Sequence, residues 1–197
     1  SALLAKISCQ SKPLALPAGR AMKMLEEGSL AVMVGMSETA ERAQFNYFVG
    51  PHHMERMVVV GRRELAHKVA DLSELLRLPG LISITEGAYY GPRWQLLLQQ
   101  EPALQQRLFY ASGNQQKLAM LASERVAASL EDEAIVDELL LQDDLGRRYV
   151  KLLVIHENPV YFAFSRRAVS EELYQLLQYH WLQMLQSGEV ERIRQAQ

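Results

Sequence analysis

Arg42 closes the run Gly35-Met36-Ser37-Glu38-Thr39-Ala40-Glu41-Arg42, which an apolar stretch, Leu30-Ala31-Val32-Met33-Val34, feeds. An aromatic-rich segment follows and ends at Pro51. Small and polar residues at the end of a strand leave backbone N–H groups accessible. A guanidinium beside them adds a planar fork that takes a carboxylate through two parallel hydrogen bonds. Gly35, Ser37 and Arg42 are therefore candidates to converge on an anion. The competing reading is a surface arginine paired with Glu38 or Glu41.

Two other places carry binding chemistry. Gly87 and Ala88 lie shortly before Pro92, a residue suited to a first helical turn, so their N–H groups are expected to point at an anion. Asp132 follows the apolar stretch from Val126 to Leu130, at the kind of strand end that faces a cleft in parallel sheets. An aspartate in that place also suits a helix N-cap, and the flanking Glu131 and Glu133 leave the register open. Tyr89, Tyr90 and Trp94 read as core or as an apolar wall. Arg20 reads as a solvated charge or as a group reaching the same site.

Other constellations do not assemble. His52 and His53 are adjacent, and neighbouring side chains of an extended segment point to opposite faces. His156 lacks a spaced partner, and His180 sits in an apolar helical pattern. The sequence contains no G-x-S-x-G elbow, no phosphate loop and no H-E-x-x-H. Cys9, the single cysteine, has no histidine nearby that would mark it as a nucleophile. No cofactor, no metal and no enzymatic activity are expected.

The elements that must position these residues follow from periodicity and punctuation. Helical pieces are expected at Ala2–Ile7, at Arg20–Glu27 with Gly28 as its cap, and at Asp71–Leu78 with Asp71 or Ser73 as cap. Further helices are expected from Pro92, over Gln115–Glu124, over Asp132–Leu141 and from Ser170 to Gln186, with a short terminal helix after Gly188. Strands are expected at Pro13–Leu16, Leu30–Val34, Met57–Val60, Leu81–Thr85, Val126–Leu130, Tyr149–Ile155 and Val160–Phe164. Strands alternating with helices predict an α/β protein with a largely parallel sheet.

With 197 residues and a formal net charge of −2, the chain holds one good core or two small lobes, without the basic footprint of a nucleic-acid binder. One cysteine excludes an intrachain disulfide framework. No apolar run reaches bilayer length, and the first residues lack the pattern of a secretory signal. The chain opens on serine rather than methionine, as a processed product or a truncated reading frame would.

The run G-x-S-x-T-x-E-R followed by Phe and Pro closely resembles a segment of the bacterial family 3 extracellular solute-binding proteins, two-lobed receptors that deliver polar amino acids to ABC importers. The resemblance continues through Arg20–Gly28, through Asp71-Leu72 with Pro79–Ile84, and through Glu86–Gly91. It extends over Leu121–Asp132, Tyr161–Ser165 and Leu185–Ile193. It implies a type II periplasmic-binding-protein-like fold with two hinge crossovers, near Glu55–Arg62 and Pro159–Arg166. Lobe 1 would comprise residues 1–58 and 164–197, and lobe 2 residues 59–163, with solute held in a cleft between them.

By the same resemblance Arg42 would clamp a ligand carboxylate, with Ser37 and the amides near Gly35 beside it, and Asp132 would accept the ammonium. The implied function is non-catalytic binding of an amino acid or related zwitterion or anion for ABC-type import, in the periplasm. A sensor role or a degenerate, non-binding homologue is the alternative, and some relatives of this fold are dehydratases or cleave peptidoglycan. Partners would be the small solute and an ABC permease or a membrane sensor, with no nucleic acid. Three departures stand out. The family's opening strand and aromatic loop have no counterpart, so the first lobe is expected to be incomplete at its N-terminus and open to completion in a homodimer. Ala31 stands where the family has an aspartate. Glu124 and Ala127 replace the glycine and first aspartate of the second-lobe motif.

Overall fold

The computed structural model describes residues 2–195. The chain divides into two compact units, one made of Ser1–Leu16, Arg20–Met54 and Pro159–Gln197, the other of Pro17–Gly19 and Glu55–Asn158. Two long strands pass through the boundaries, β2 (Asn46–Arg62) and β6 (Tyr149–Ser165).

In the first unit the helices α1 (Ala2–Lys6) and α2 (Ala18–Glu27) precede β1 (Val32–Ser37) and the single turn α3 (Ala40–Ala43). β1 runs antiparallel to β6, from Val32 opposite Phe164 to Ser37 opposite Val160. The strand does not stop at Gly35 as expected. It continues to Ser37 across a bulge between Val34 and Met36, where Gly35 takes φ +78°. Glycine adopts that left-handed conformation without steric cost, so the ladder absorbs an extra residue instead of ending. Pro13–Leu16 forms no strand. Prolines at 13 and 17 remove ladder donors, and Leu14 lies exposed.

Two apolar clusters fill this unit. Leu25, Met36, Phe48 and Ala163 pack together under α2. Leu3, Val49, Phe164 and Val169 pack with Leu177, Trp181 and Met184, the buried face of α9 (Glu171–Gln186). Ser170 caps that helix, its hydroxyl accepting the Leu173 N–H. α10 (Glu189–Gln195) follows Gly188.

The second unit is a mixed sheet in the order β2-β5-β3-β4. Its strands β3 (Ile82–Thr85), β4 (Leu108–Ala111) and β5 (Ala128–Asp132) are parallel to one another, and β2 pairs antiparallel with β5. The expected parallel sheet therefore exists only where a helix returns the chain between strands. α4 (Pro92–Gln100) with the short α5 (Pro102–Gln105) joins β3 to β4, and α6 (Asn114–Ala122) joins β4 to β5. β1, β2 and β6 enter without such crossovers. α7 (Glu133–Leu140) and α8 (Asp143–Arg148) lead into β6, which runs unbroken where two strands were expected. Ile82, Ile84, Leu130 and Trp94 belong to one apolar cluster, and Val58, Val60, Leu121 and Val136 to another.

α6 ends in a Schellman motif: Glu124 N–H donates to Leu121 O at 2.9 Å and Arg125 N–H to Met120 O at 3.0 Å. Glu124 carries φ +57°. The position where the resemblance expects glycine keeps the left-handed backbone that glycine serves, while its carboxylate accepts from Arg148 at 2.7 Å.

In the first unit, burial of His52 makes stability depend on pH below neutrality. Its ring lies 4.7 Å from that of Phe162, and its Nε2 is buried without a hydrogen-bond partner among the described residues. Burial first, then His53 and Arg194, lower its pKa from 6.5 to about 4. Between those values the unfolded chain binds a proton that the folded chain refuses, so stability is complete above the upper value and falls as pH drops towards the lower. Because the ring is only half-buried, solvent screening reduces the loss to on the order of 1 kcal/mol. Urea midpoints at pH 7.5 and 4.5 are expected to fall further apart for the wild type than for His52→Gln; equal separations would exclude His52 as the source.

Candidate functional site

The first group of candidate residues sits where β1 turns into α3. Ser37 is buried at 4 % exposure, with its main chain at the end of the β1 ladder. Thr39 caps α3, its hydroxyl accepting the Arg42 N–H at 3.2 Å. The buried Asn46 donates its side-chain amide to the Arg42 carbonyl at 2.9 Å. The guanidinium folds back and donates from Nη1 to the Ser37 carbonyl at 2.8 Å. Arg42 is thus held at its N–H, its carbonyl and its side chain, and its guanidinium meets Ser37 at the main-chain carbonyl. Gly35 lies two residues back on the bulge, where a Cβ would meet nothing within 4 Å.

A layer that the sequence did not reveal holds α3 from behind. Arg166 donates from Nε to the carbonyls of Ala43 and Asn46 at 3.1 and 3.2 Å. Its guanidinium carbon lies 4.1 Å from the centre of the Tyr47 ring, which stacks on Tyr174 at 4.3 Å and 12°. The aromatic faces favour the cation, and the guanidinium donates to the carbonyls at and after the last residue of the turn.

The second group lies in the other unit, at the carboxyl ends of its parallel strands. After β3 the chain makes a β-turn in which Ala88 N–H donates to Thr85 O at 3.2 Å and Gly87 takes φ +77°. The expectation that the Ala88 amide points at an anion is corrected: closing the turn uses it. Tyr90 and Trp94 are core residues at 2 % and 3 % exposure. Tyr90 accepts the Thr85 N–H on its hydroxyl at 2.7 Å, and burial pushes that hydroxyl's pKa up. Tyr89 meets His156 edge to face at 5.3 Å. Arg20 is exposed near the start of α2.

Asp132 ends β5 and caps α7, its Oδ1 accepting the Ala134 N–H at 2.7 Å. The cap reading is thus correct, and it leaves the other carboxylate oxygen for further chemistry. Beside it lies a buried ion pair that sequence reasoning missed. Lys117 Nζ sits 2.8 Å from Glu131 Oε2, with side chains 1 % and 4 % exposed. The same ammonium donates to the Leu130 carbonyl at 3.0 Å. Burial lowers the Lys117 pKa, and the nearby Glu131 opposes that shift. A signal was present: Lys117 and Leu121 are four apart on α6, so they share a face, and Leu121 is buried.

The sequence matches no family model and no curated relative. The fold, in contrast, matches many solved structures. A histidine kinase sensor domain with similarity to periplasmic binding proteins aligns with 99% of this chain and 81% of its own, at TM-score 0.80 and 16% identity. An ancestral arginine-binding protein bound to arginine aligns at TM-score 0.80 and 16% identity, over 99% of this chain and 83% of its own. An amino acid ABC transporter substrate-binding protein from Streptococcus pneumoniae, bound to L-arginine, aligns at TM-score 0.75 and 14% identity, over 97% and 77%. The fold is the solute-binding-protein fold. The chain spans about four fifths of the length of these neighbours.

The two roles of Asp132 separate on substitution. Asp132→Ala is expected to cost about 1 kcal/mol of unfolding free energy through the lost cap, whereas Asp132→Asn, which caps equally well, costs a few tenths. Denaturant titration of both variants checks this; equal losses would mean that the carboxylate charge, not the cap, matters to stability.

Proposed function

We propose that this chain binds a small polar solute, an amino acid or a related zwitterion or anion, without transforming it. Arg42 takes the carboxylate with Ser37 and the amides near Gly35, and Asp132 takes the ammonium through the oxygen its cap does not use. Gly87 shapes the turn at the same sheet edge as Asp132. The observation that carries the reading is the pinning of Arg42 at N–H, carbonyl and guanidinium. A fork already fixed loses little freedom when an anion arrives. The neighbours whose names record arginine as their bound ligand support the solute class.

Delivery to an ABC permease is the first role for such a protein, which places it in the periplasm. The same chemistry serves a membrane sensor, and one neighbour is a kinase sensor domain. Among the described residues, no helix is long and apolar enough to cross a membrane.

A thermal-shift panel of amino acids, polyamines and small organic acids tests the binding reading. A ligand at 100 times its Kd adds about 2.7 kcal/mol, a rise of roughly 5–10 °C for a chain of this size. At least one amino acid is expected to produce such a rise in the wild type and none in Arg42→Ala. An undiminished rise in the variant would remove Arg42 from the site.

A homodimer is a further expected partner arrangement. β1 ends the strand order among the described residues, and Val34 on it is 59% exposed. Such an apolar edge presents backbone groups to a second copy. Light scattering coupled to size exclusion is expected to give twice the chain mass of 22.4 kDa; a monomer at all concentrations rejects the pairing.

A further inference from the structure

Glu131 faces α6 from a strand whose end carries Asp132, and its two oxygens do different work. Oε2 meets the Lys117 ammonium at 2.8 Å, and Oε1 accepts the backbone N–H of Asp132 at 3.0 Å. Both side chains are almost fully buried. Lys117 adds a hydrogen bond to the Leu130 carbonyl, so one ammonium holds both the Glu131 carboxylate and the main chain just before Glu131. The Asp132 side chain is fixed in turn by the Ala134 N–H. The connected groups run from α6 through Glu131 to the main chain of Asp132 and into the first turn of α7.

An ion pair buried this deeply is a poor device for stability alone, since apolar residues of similar volume often serve as well or better. What they cannot do is accept a hydrogen bond at the strand end. We propose that Lys117 and Glu131 are a positioning pair that sets the main chain of Asp132, and through it the direction in which the Asp132 carboxylate meets the ammonium of a solute. The role rests on the binding reading of Asp132 given above; the positioning geometry does not. Lys117 also neutralises Glu131, so Asp132 presents a single negative charge rather than two.

Replacements separate positioning from packing. Lys117→Met/Glu131→Leu keeps an apolar core and removes the acceptor for the Asp132 N–H. Lys117→Met/Glu131→Gln removes both charges and keeps an oxygen acceptor. The deciding measurement is hydrogen exchange at the Asp132 amide in protein without ligand, read by NMR alongside the melting temperature.

Exchange is expected to be about tenfold faster in the Leu double variant, the ratio that one net hydrogen bond supplies, and close to wild type in the Gln double variant. Slow, wild-type exchange in the folded Leu variant overturns the proposal. If that variant does not fold, Glu131→Met against Glu131→Gln, each with Lys117 retained, reads the same amide with the same two outcomes. With L-arginine as probe, affinity is expected to follow the amide, about tenfold weaker in the Leu double variant and restored by Gln. A wild type that no solute in the panel protects would refute the binding reading, while the amide would still decide the positioning.

Discussion

The chain depends on one constraint: β2 and β6 are each 17 residues long and serve two sets of neighbours. β6 pairs with β1 through residues 160–164, whereas β2 pairs with β5 through residues 57–61. A strand that changes partners along its length must present different side-chain patterns to each. Residues 57–60 of β2 are all buried, two in each of the clusters on either side of the second sheet. Phe48 and Val49, in its first part, serve the clusters of the other unit. The stretch between, from Pro51 to Arg56, is mostly exposed. The division into units is thus a statement about where these strands stop burying side chains.

That constraint explains what was legible. Elements with chemical punctuation were found: α2 before Gly28, α4 opening on Pro92, α9 behind Ser170, and the turn of 3₁₀ helix at Leu72–Arg77. In the last of these Asp71 and Glu74 form a reciprocal capping box. β6 was split in two because Asn158-Pro159 reads as a break, proline having no N–H to give a ladder. It lies one residue before the pairing with β1 begins, a place where a missing donor is tolerated. β4 was missed because Leu108–Ala111 is four residues without alternation, and its strand character comes from pairing with β3 rather than from its own composition.

The residues proposed to meet a solute were chosen from the sequence, and the groups that support them were not. Arg42, Ser37 and Asp132 were marked by type and position, since guanidinium, hydroxyl and carboxylate at strand ends are what solute recognition requires. Ala88 was misread because a glycine before a helix looks the same whether its neighbour's amide is offered outward or closes a turn. Tyr47 is distant in sequence from Arg166 and Tyr174, and only the packing of β2 against α9 places the two rings together. The Lys117–Glu131 pair required knowing that α6 lies over β5. Supports of this kind are long-range by nature, and a single sequence records them only as a charge on a face that ought to be apolar.

The two places solve the same problem by opposite electrostatic means. At α3 Arg42 is fixed by neutral groups: the Ser37 carbonyl accepts from its guanidinium, and the Asn46 side-chain amide donates to its own carbonyl. A neutral acceptor orients a guanidinium without cancelling its charge. At the end of β5 the charges used for fixing are buried and cancel each other, leaving the capping carboxylate as the outward group. Burying a pair costs desolvation that mutual attraction repays only with good geometry. The arrangement is economical only because the pair's second oxygen is put to use on the main chain. Arg42 is thus oriented by neutral groups and Asp132 is supported by a buried pair whose charges cancel, each within its own unit.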